Sequence, residues 1–295
     1  MHHVMGGYSR VSFWLADCGD ELTPRPSLTG SHRADVAILG AGYTGLWTAY
    51  YLLLADPSLT VIIVEAEIAG YGASGRNGAW CAPGLNISLS RLTQLHGADA
   101  ARRTYAAVDG AVDEVGRVAS THDLDIDWRR GGELMVARGS HDEPALRAEL
   151  EELQAAGLGQ RWELLDAEAT NERIHIAGAT GGLYTPDAAS LQPAKLARGL
   201  ARLVEGLGAV IHEGSEVVDV RERPAGDGHA ALVTRDGVVE ADTVVLAGEA
   251  YLTRLRRLHR SLIPVWSQIV LSEPLPPGFR PPVPLPPKVV PLPTR

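Results

Sequence analysis

One stretch near the start of the chain, residues 34–67, constrains the fold more than any other. It reads ADVAILGAGYTGLWTAYYLLLADPSLTVIIVEAE. The apolar run 36–39 predicts a strand that is buried on both faces, and a G-x-G-x-x-G pattern follows it. The apolar run 46–54 predicts a helix, and the β-branched run 60–64 predicts a second strand. The order strand, glycine turn, helix, strand is typical of a dinucleotide-binding domain.

Each part of this unit has a physical role. Gly40 permits the tight turn, Gly42 lets a pyrophosphate approach the backbone, and Gly45 lets the helix pack close to the sheet. The helix start offers N–H groups and the positive end of a dipole to phosphates. Glu65, at the end of the second strand, is placed to accept hydrogen bonds from ribose hydroxyls. Because its carboxylate would repel a 2′-phosphate, NADP is disfavoured.

A second loop rich in small residues, GYGASGRNGAWCAPG at 70–84, follows directly. Consecutive small residues let backbone N–H groups form an anion-binding nest, and Arg76 could face a diphosphate. The alternative is a flexible surface loop with a solvated arginine. The position of the loop, immediately after the ribose-binding acid, favours the phosphate interpretation.

Composition narrows the class of protein. The 27 basic and 36 acidic residues give a net charge of −9, which does not suggest a nucleic-acid or anionic-membrane partner. The 2 cysteines form no disulfide framework and no metal spacing, so no metal site is predicted and a reducing compartment is indicated. Neither a signal peptide nor a membrane span of about 20 apolar residues is visible. We therefore expect a cytoplasmic protein.

Periodicity and turn residues predict the remaining elements. The expected helices are 99–122, 143–156 and 193–206, with a shorter helical stretch over 164–173 that Asp166 caps. The expected strands are two within 126–137, then 209–212, 216–221, a hairpin over 230–240, and a separate strand at 243–246. Residues 181–187 are expected to be turn-rich. The last stretch, 274–295, has proline at nearly every second position, which predicts polyproline II or disorder.

The stretches ADVAILGAGYTGLWTAY, VIIVEAE and GASGRNGAW resemble the FAD-dependent amine and amino-acid oxidases, the superfamily of D-amino-acid oxidase, glycine oxidase and sarcosine oxidase. The segments SFWLAD, GASGRNG and GGLYTPDAASLQPAKLARGLA are most similar to the γ-glutamylputrescine oxidoreductase branch. The resemblance covers roughly residues 10–275.

The resemblance implies an α/β fold. A Rossmann-like FAD-binding domain, with a mixed sheet and helices, is interleaved with an α+β substrate domain. The expected organisation is an N-terminal arm at 1–29, the FAD-binding domain at 30–85 and 190–260, an incomplete substrate domain at 86–189 and 261–273, and the proline-rich tail at 274–295.

The resemblance also implies roles for single residues. Gly40, Gly42 and Gly45 face the pyrophosphate and Glu65 the adenosine ribose. The stretch from Ser74 to Gly78 runs along the diphosphate toward the flavin ring, Val217 pairs with adenine through its backbone, and Ala247 and Gly248 lie beside the ribityl and adenosine parts. The predicted cofactor-binding residues are Gly40, Ala41, Gly42, Tyr43, Thr44, Gly45, Glu65, Ala66, Ser74, Arg76, Asn77, Gly78, Val217, Ala247 and Gly248.

The activity that the resemblance implies is oxidation of a C–H bond next to an amine. Hydride passes to the flavin, the imine is hydrolysed, and oxygen or another acceptor reoxidises the flavin. The small-molecule substrate is thus an amine or amino acid. Family members continue beyond the strand that ends near Leu271 and there supply residues near the flavin. Since the resemblance stops near Glu273, we expect a truncated form, for which both an active and an inactive chain stay open, and we assign no catalytic residue.

Two other functions stay open. A NAD-dependent dehydrogenase is compatible with Glu65 but leaves GASGRNG unexplained. A non-catalytic FAD-binding chain could instead present its P-x-x-P tail to a proline-binding module.

Overall fold

The computed structural model describes residues 7–222, 228–265 and 267–270. The proline-rich tail expected at 274–295 lies outside the described residues. The helices are α1 (Phe13–Asp17), α2 (Tyr43–Ala55), α3 (Leu89–His96), α4 (Ala98–Thr121), α5 (Asp142–Ala155), α6 (Ala167–Arg173) and α7 (Pro193–Gly206). The strands are β1 (Gly30–Leu39), β2 (Val61–Val64), β3 (Trp80–Cys81), β4 (Arg129–Arg130), β5 (Glu133–Ala137), β6 (Glu163–Asp166), β7 (Gly181–Thr185), β8 (Ala189–Ser190), β9 (Val210–His212), β10 (Asp219–Arg221), β11 (Ala230–Val233) and β12 (Gly237–Leu246). Short 3-10 helices lie at Tyr8–Arg10, Ala73–Gly75 and Glu249–Arg254.

The chain divides into two compact units. Within the described part, the first unit comprises residues 7–77, 124–126, 192–222, 228–265 and 267–269, and the second comprises 78–123, 127–191 and 270. The first unit therefore begins with the segment before β1, and residues 78–85 belong to the second. The domain boundaries expected from the sequence stay a prediction.

The first unit is built on a six-stranded mixed sheet with the order β10-β11-β12-β1-β2-β9. β1 runs parallel to β2 and β12, and β2 runs parallel to β9, while β10, β11 and β12 form an antiparallel end. All four residues of β2 are buried. In β1, residues 36–38 are buried, as expected for the apolar run 36–39. The mixed α/β fold expected from the sequence is confirmed.

The second unit contains two three-stranded sheets, with the orders β3-β8-β4 and β5-β7-β6. Beside them, Leu89 of α3, Ala101 of α4 and Leu153 of α5 form one buried cluster. Asp166 caps α6 by accepting a hydrogen bond from the N–H of Ala169 at 2.8 Å, as expected. The two leucines before it belong to β6 and not to the helix.

Two further expectations were wrong. Residues 237–246 form one strand, β12, which pairs with β11 on one side and with β1 on the other. Residues 181–185 are the central strand β7 and not a turn. The glycines there are needed for close packing, because a Cβ at Gly182 would lie 2.9 Å from both the side chain of Leu134 and the carbonyl oxygen of Met135. None of the helices among the described residues is long and apolar enough to cross a membrane.

Candidate functional site

A cavity of about 140 Å³ opens in the first unit where β1, β2 and β12 end. Leu39 and Val64, the last residues of β1 and β2, line it together with Ala247, which follows β12. Ligands of open α/β sheets bind beyond the carboxyl ends of the parallel strands. The location of the cavity is therefore that of a nucleotide site.

The glycine turn forms one wall and is held by tight contacts. Gly40 has a φ of +103°, and a Cβ there would lie 2.6 Å from the carbonyl oxygen of Ala247. A Cβ at Gly45 would lie 2.0 Å from the carbonyl oxygen of Gly40, so only glycine lets α2 approach the turn. At Gly42 the nearest atom to an added Cβ is Oγ of Ser74, at 3.0 Å.

The start of α2 faces the same cavity. Gly42 is the N-cap residue, and Gly42, Tyr43 and Thr44 all line the cavity. The N–H of Tyr43 donates to Oγ of Ser74 at 2.8 Å, which links the helix start to the loop at 70–84. The positive end of the helix dipole thus points at the cavity, as an anionic ligand requires.

Glu65 contributes a carboxylate to the cavity wall. Its Oε2 accepts a hydrogen bond from the N–H of Ala41 at 2.8 Å, and its Oε1 accepts one from the N–H of Glu67 at 3.0 Å. Burial raises the pKa of the Glu65 carboxyl, while these two N–H groups act in the opposite direction. A carboxylate offers about four acceptor positions, so lone pairs remain for a bound hydroxyl group.

The loop of small residues forms a further wall, but its arginine does not line the cavity. Nη2 of Arg76 donates to the hydroxyl of Tyr251 at 2.6 Å, and Nε donates to the carbonyl oxygen of Gly72 at 3.3 Å. The guanidinium also lies 4.9 Å from the ring centroid of Tyr71. Tyr71, Gly72 and Tyr251 all line the cavity, so Arg76 supports the wall from behind.

Most of the predicted site residues come together in the cavity. Those that line it are Gly40, Gly42, Tyr43, Thr44, Glu65, Ala66, Ser74, Val217, Ala247 and Gly248. Ala41 and Gly45 lie in the turn behind this lining. Nδ2 of Asn77 donates to the carbonyl oxygens of Ala73 and Ser74, at 3.3 and 3.2 Å. Gly78 belongs to the second unit.

Sequence reasoning missed several lining residues. These are Glu67, Tyr71, Glu216, Tyr251 and Arg254. Following the chain through the 3-10 helix Glu249–Arg254, which begins right after Gly248, would have included the last two. Within the described part of the chain, no group of His, Cys, Asp and Glu side chains could hold a metal ion.

The family model described as FAD dependent oxidoreductase (DAO) matches residues 35–294, further than the resemblance was expected to reach. γ-Glutamylputrescine oxidoreductase of Escherichia coli is 29% identical over 265 residues, which cover 89% of this chain and 60% of that protein. A probable oxidoreductase of Haemophilus influenzae, OrdL, is 29% identical, with 85% and 58% covered. The chain thus spans about three fifths of the length of these relatives.

Two solved structures have folds similar to that of this chain. The crystal structure of glycine oxidase from Geobacillus kaustophilus matches with a TM-score of 0.61 and 26% identity, covering 76% of this chain and 57% of that one. An L-amino acid deaminase from Proteus vulgaris shares the fold, with a TM-score of 0.63 at 18% identity over 86% of this chain and 60% of that one. With the family match extending over most of its length, the chain belongs to the DAO family of FAD-dependent oxidoreductases.

Proposed function

We propose that the cavity of the first unit binds FAD and that the chain is the cofactor-binding part of an oxidoreductase acting on amines or amino acids. The observation that carries this proposal is the Glu65 carboxylate, which faces the cavity beside the start of α2. The names of two relatives, γ-glutamylputrescine oxidoreductase and glycine oxidase, support an amine nitrogen as the common feature of the substrate.

The residues of the cavity fit this cofactor. Glu65 would accept hydrogen bonds from the ribose hydroxyls, and the start of α2 would face the diphosphate. The cavity-lining Val217, Ala247 and Gly248 would meet the adenosine and ribityl parts through their backbone. The rest of the predicted set, including Arg76, Asn77 and Gly78, stays a proposal for the path toward the flavin ring.

Bound FAD would supply the acceptor for a hydride from the carbon next to nitrogen, leaving an imine that water hydrolyses. The contribution of this chain is to bind and orient. Its acidic wall and close backbone contacts fix one end of a long cofactor, and fixed placement is what such a reaction demands of the protein. Oxygen or another acceptor would complete the cycle, and we expect this to take place in the cytoplasm.

The test begins with FAD added to the purified chain, followed by gel filtration and a visible absorption spectrum. Retained flavin absorption supports FAD binding, whereas binding of NADH without FAD would favour a NAD-dependent dehydrogenase. γ-Glutamylputrescine and glycine are then added without oxygen. Bleaching of the flavin band, with hydrogen peroxide appearing when air is admitted, supports amine oxidation. Retained FAD that neither compound bleaches would favour a non-catalytic FAD-binding chain.

A further inference from the structure

The segment before β1 contacts the cavity walls through three side chains. We call residues 8–18 the aromatic arm and residues 70–77 the small-residue loop. Oγ of Ser12 donates to the carbonyl oxygen of Gly75 at 3.1 Å, and Nε1 of Trp14 donates to the carbonyl oxygen of Asn77 at 2.8 Å. The hydroxyl of Tyr8 donates to the carboxylate of Glu67, a cavity-lining residue, at 3.2 Å.

The aromatic arm is itself held in place. Oγ of Ser12 accepts a hydrogen bond from the N–H of Leu15 and so caps α1. The side-chain amide of Gln192, 1% exposed, donates to the carbonyl oxygen of Trp14 at 2.8 Å. Leu15 and Cys18 are buried in one cluster with Ile68 and Ala194. Because the arm is held against α7 and the chain after β2, it can in turn hold the small-residue loop in place.

The small-residue loop needs such a support. It contains three glycines, whose backbones lose much conformational freedom on ordering. A carbonyl oxygen held at one position also fixes the N–H of the same peptide plane. Two such oxygens, those of Gly75 and Asn77, are held by the arm. Without these bonds, part of the ordering cost would fall on the binding of a ligand, and the apparent affinity would drop accordingly.

We propose that Ser12 and Trp14 are positioning residues that hold the small-residue loop ready for FAD, so that the aromatic arm sets the affinity for the cofactor. The inference rests on the proposed FAD binding. Neither side chain lines the cavity; each acts through a loop carbonyl group.

The test compares Trp14→Phe, which removes the N–H donor and keeps a ring, with Phe13→Leu. Phe13 is 50% exposed, and its ring lies 5.1 Å from that of Trp14, so the control removes the ring contact and keeps the indole N–H. In flavin fluorescence titrations of the full chain, Trp14→Phe should raise the Kd for FAD about fivefold, and Phe13→Leu less than about twofold. Both variants should remain folded without flavin, with melting temperatures within about 4 °C of each other.

A second readout does not need the cofactor. Without FAD, amide hydrogen exchange in residues 70–77 should be faster in Trp14→Phe than in the wild type or in Phe13→Leu. Should Trp14→Phe fail to fold, Ser12→Ala should weaken FAD binding while Ser12→Thr, which keeps the hydroxyl, restores it. Unchanged affinity and unchanged exchange would overturn the inference alone. A wild-type chain that binds no FAD would overturn the proposed function, and this inference with it.

Discussion

Replacing Glu65 with glutamine tests the ribose-binding assignment with the smallest change of shape. In the wild type, the N–H groups of Ala41 and Glu67 each donate to a different carboxylate oxygen, at 2.8 and 3.0 Å. A glutamine amide has one oxygen and one NH₂ group, so whichever way it turns, one backbone N–H faces another donor. The variant therefore loses one internal hydrogen bond as well as the negative charge.

The two consequences differ in size. For folding, the lost hydrogen bond is offset because the neutral amide does not carry the cost of burying a charge, the same cost that raises the pKa of this carboxyl. The net change should therefore stay within about 1 kcal/mol. For FAD, a hydrogen bond from a ribose hydroxyl to a charged acceptor is lost, at about 1.5–3 kcal/mol. We therefore expect Glu65→Gln to raise the Kd for FAD about 10- to 150-fold.

The pH dependence gives a second signature. Burial holds the pKa of Glu65 above its ordinary value of 4.5. Its contribution to folding stability is then fully present below that ordinary value and is lost as the pH rises through the raised pKa. For FAD the direction is opposite, because the charged carboxylate is a stronger acceptor for the ribose hydroxyls than the protonated carboxyl. Affinity should fall as the pH drops through the raised pKa, and Glu65→Gln should abolish this dependence.

The assay is a fluorescence titration with FAD between about pH 5 and pH 8. Glu249→Gln is the matched control, since Glu249 is an exposed acid at the same cavity and its carboxylate accepts from the neighbouring N–H of Ala250. It should change the Kd less than about threefold. A Kd for Glu65→Gln within twofold of the wild type at neutral pH would refute the ribose assignment.

Two further predictions concern stability and are read from urea denaturation. Gly45→Ala should lower the free energy of unfolding by about 2 kcal/mol, because the added Cβ would lie 2.0 Å from a backbone oxygen. The control Gly110→Ala, in open space on α4, should instead raise the free energy of unfolding by about 0.5–1 kcal/mol. Equal effects of the two substitutions would contradict the packing argument. Thr170→Val should raise the free energy of unfolding by about 1 kcal/mol, since the fully buried hydroxyl has no hydrogen-bond partner among the described residues. A loss of stability would mean that the hydroxyl does form a hydrogen bond.

The parts of the fold that could be predicted are those whose signal is local. The helix predicted at 193–206 has the bounds of α7, and α4 and α5 differ from prediction by one residue at each end. β7 was missed because its glycines resemble a turn, and their packing against β5 and β6 is visible only in three dimensions. Likewise β12 appeared as two strands because its exposed middle breaks the apolar pattern.

The residues of the cavity likewise divide into those with a local sequence signal and those brought together only by the fold. The glycine turn and Glu65 follow from a pattern of adjacent residues, so the sequence identifies them. The pairing of Arg76 with Tyr251 joins positions far apart in the chain, and nothing in either neighbourhood indicates it. From the sequence we predicted that Arg76 faces a diphosphate, whereas in the structure its guanidinium lies behind the cavity wall.

The pairing of β1 imposes an order of assembly during synthesis. β1 and β2 are made early, but the partners on their outer edges, β12 and β9, emerge from the ribosome only after the whole of residues 127–191. A pair of strands alone is marginally stable, and its open edges can pair with other chains. The glycine turn can therefore reach its final packing only after the carbonyl of Ala247 has been synthesised and lies against Gly40.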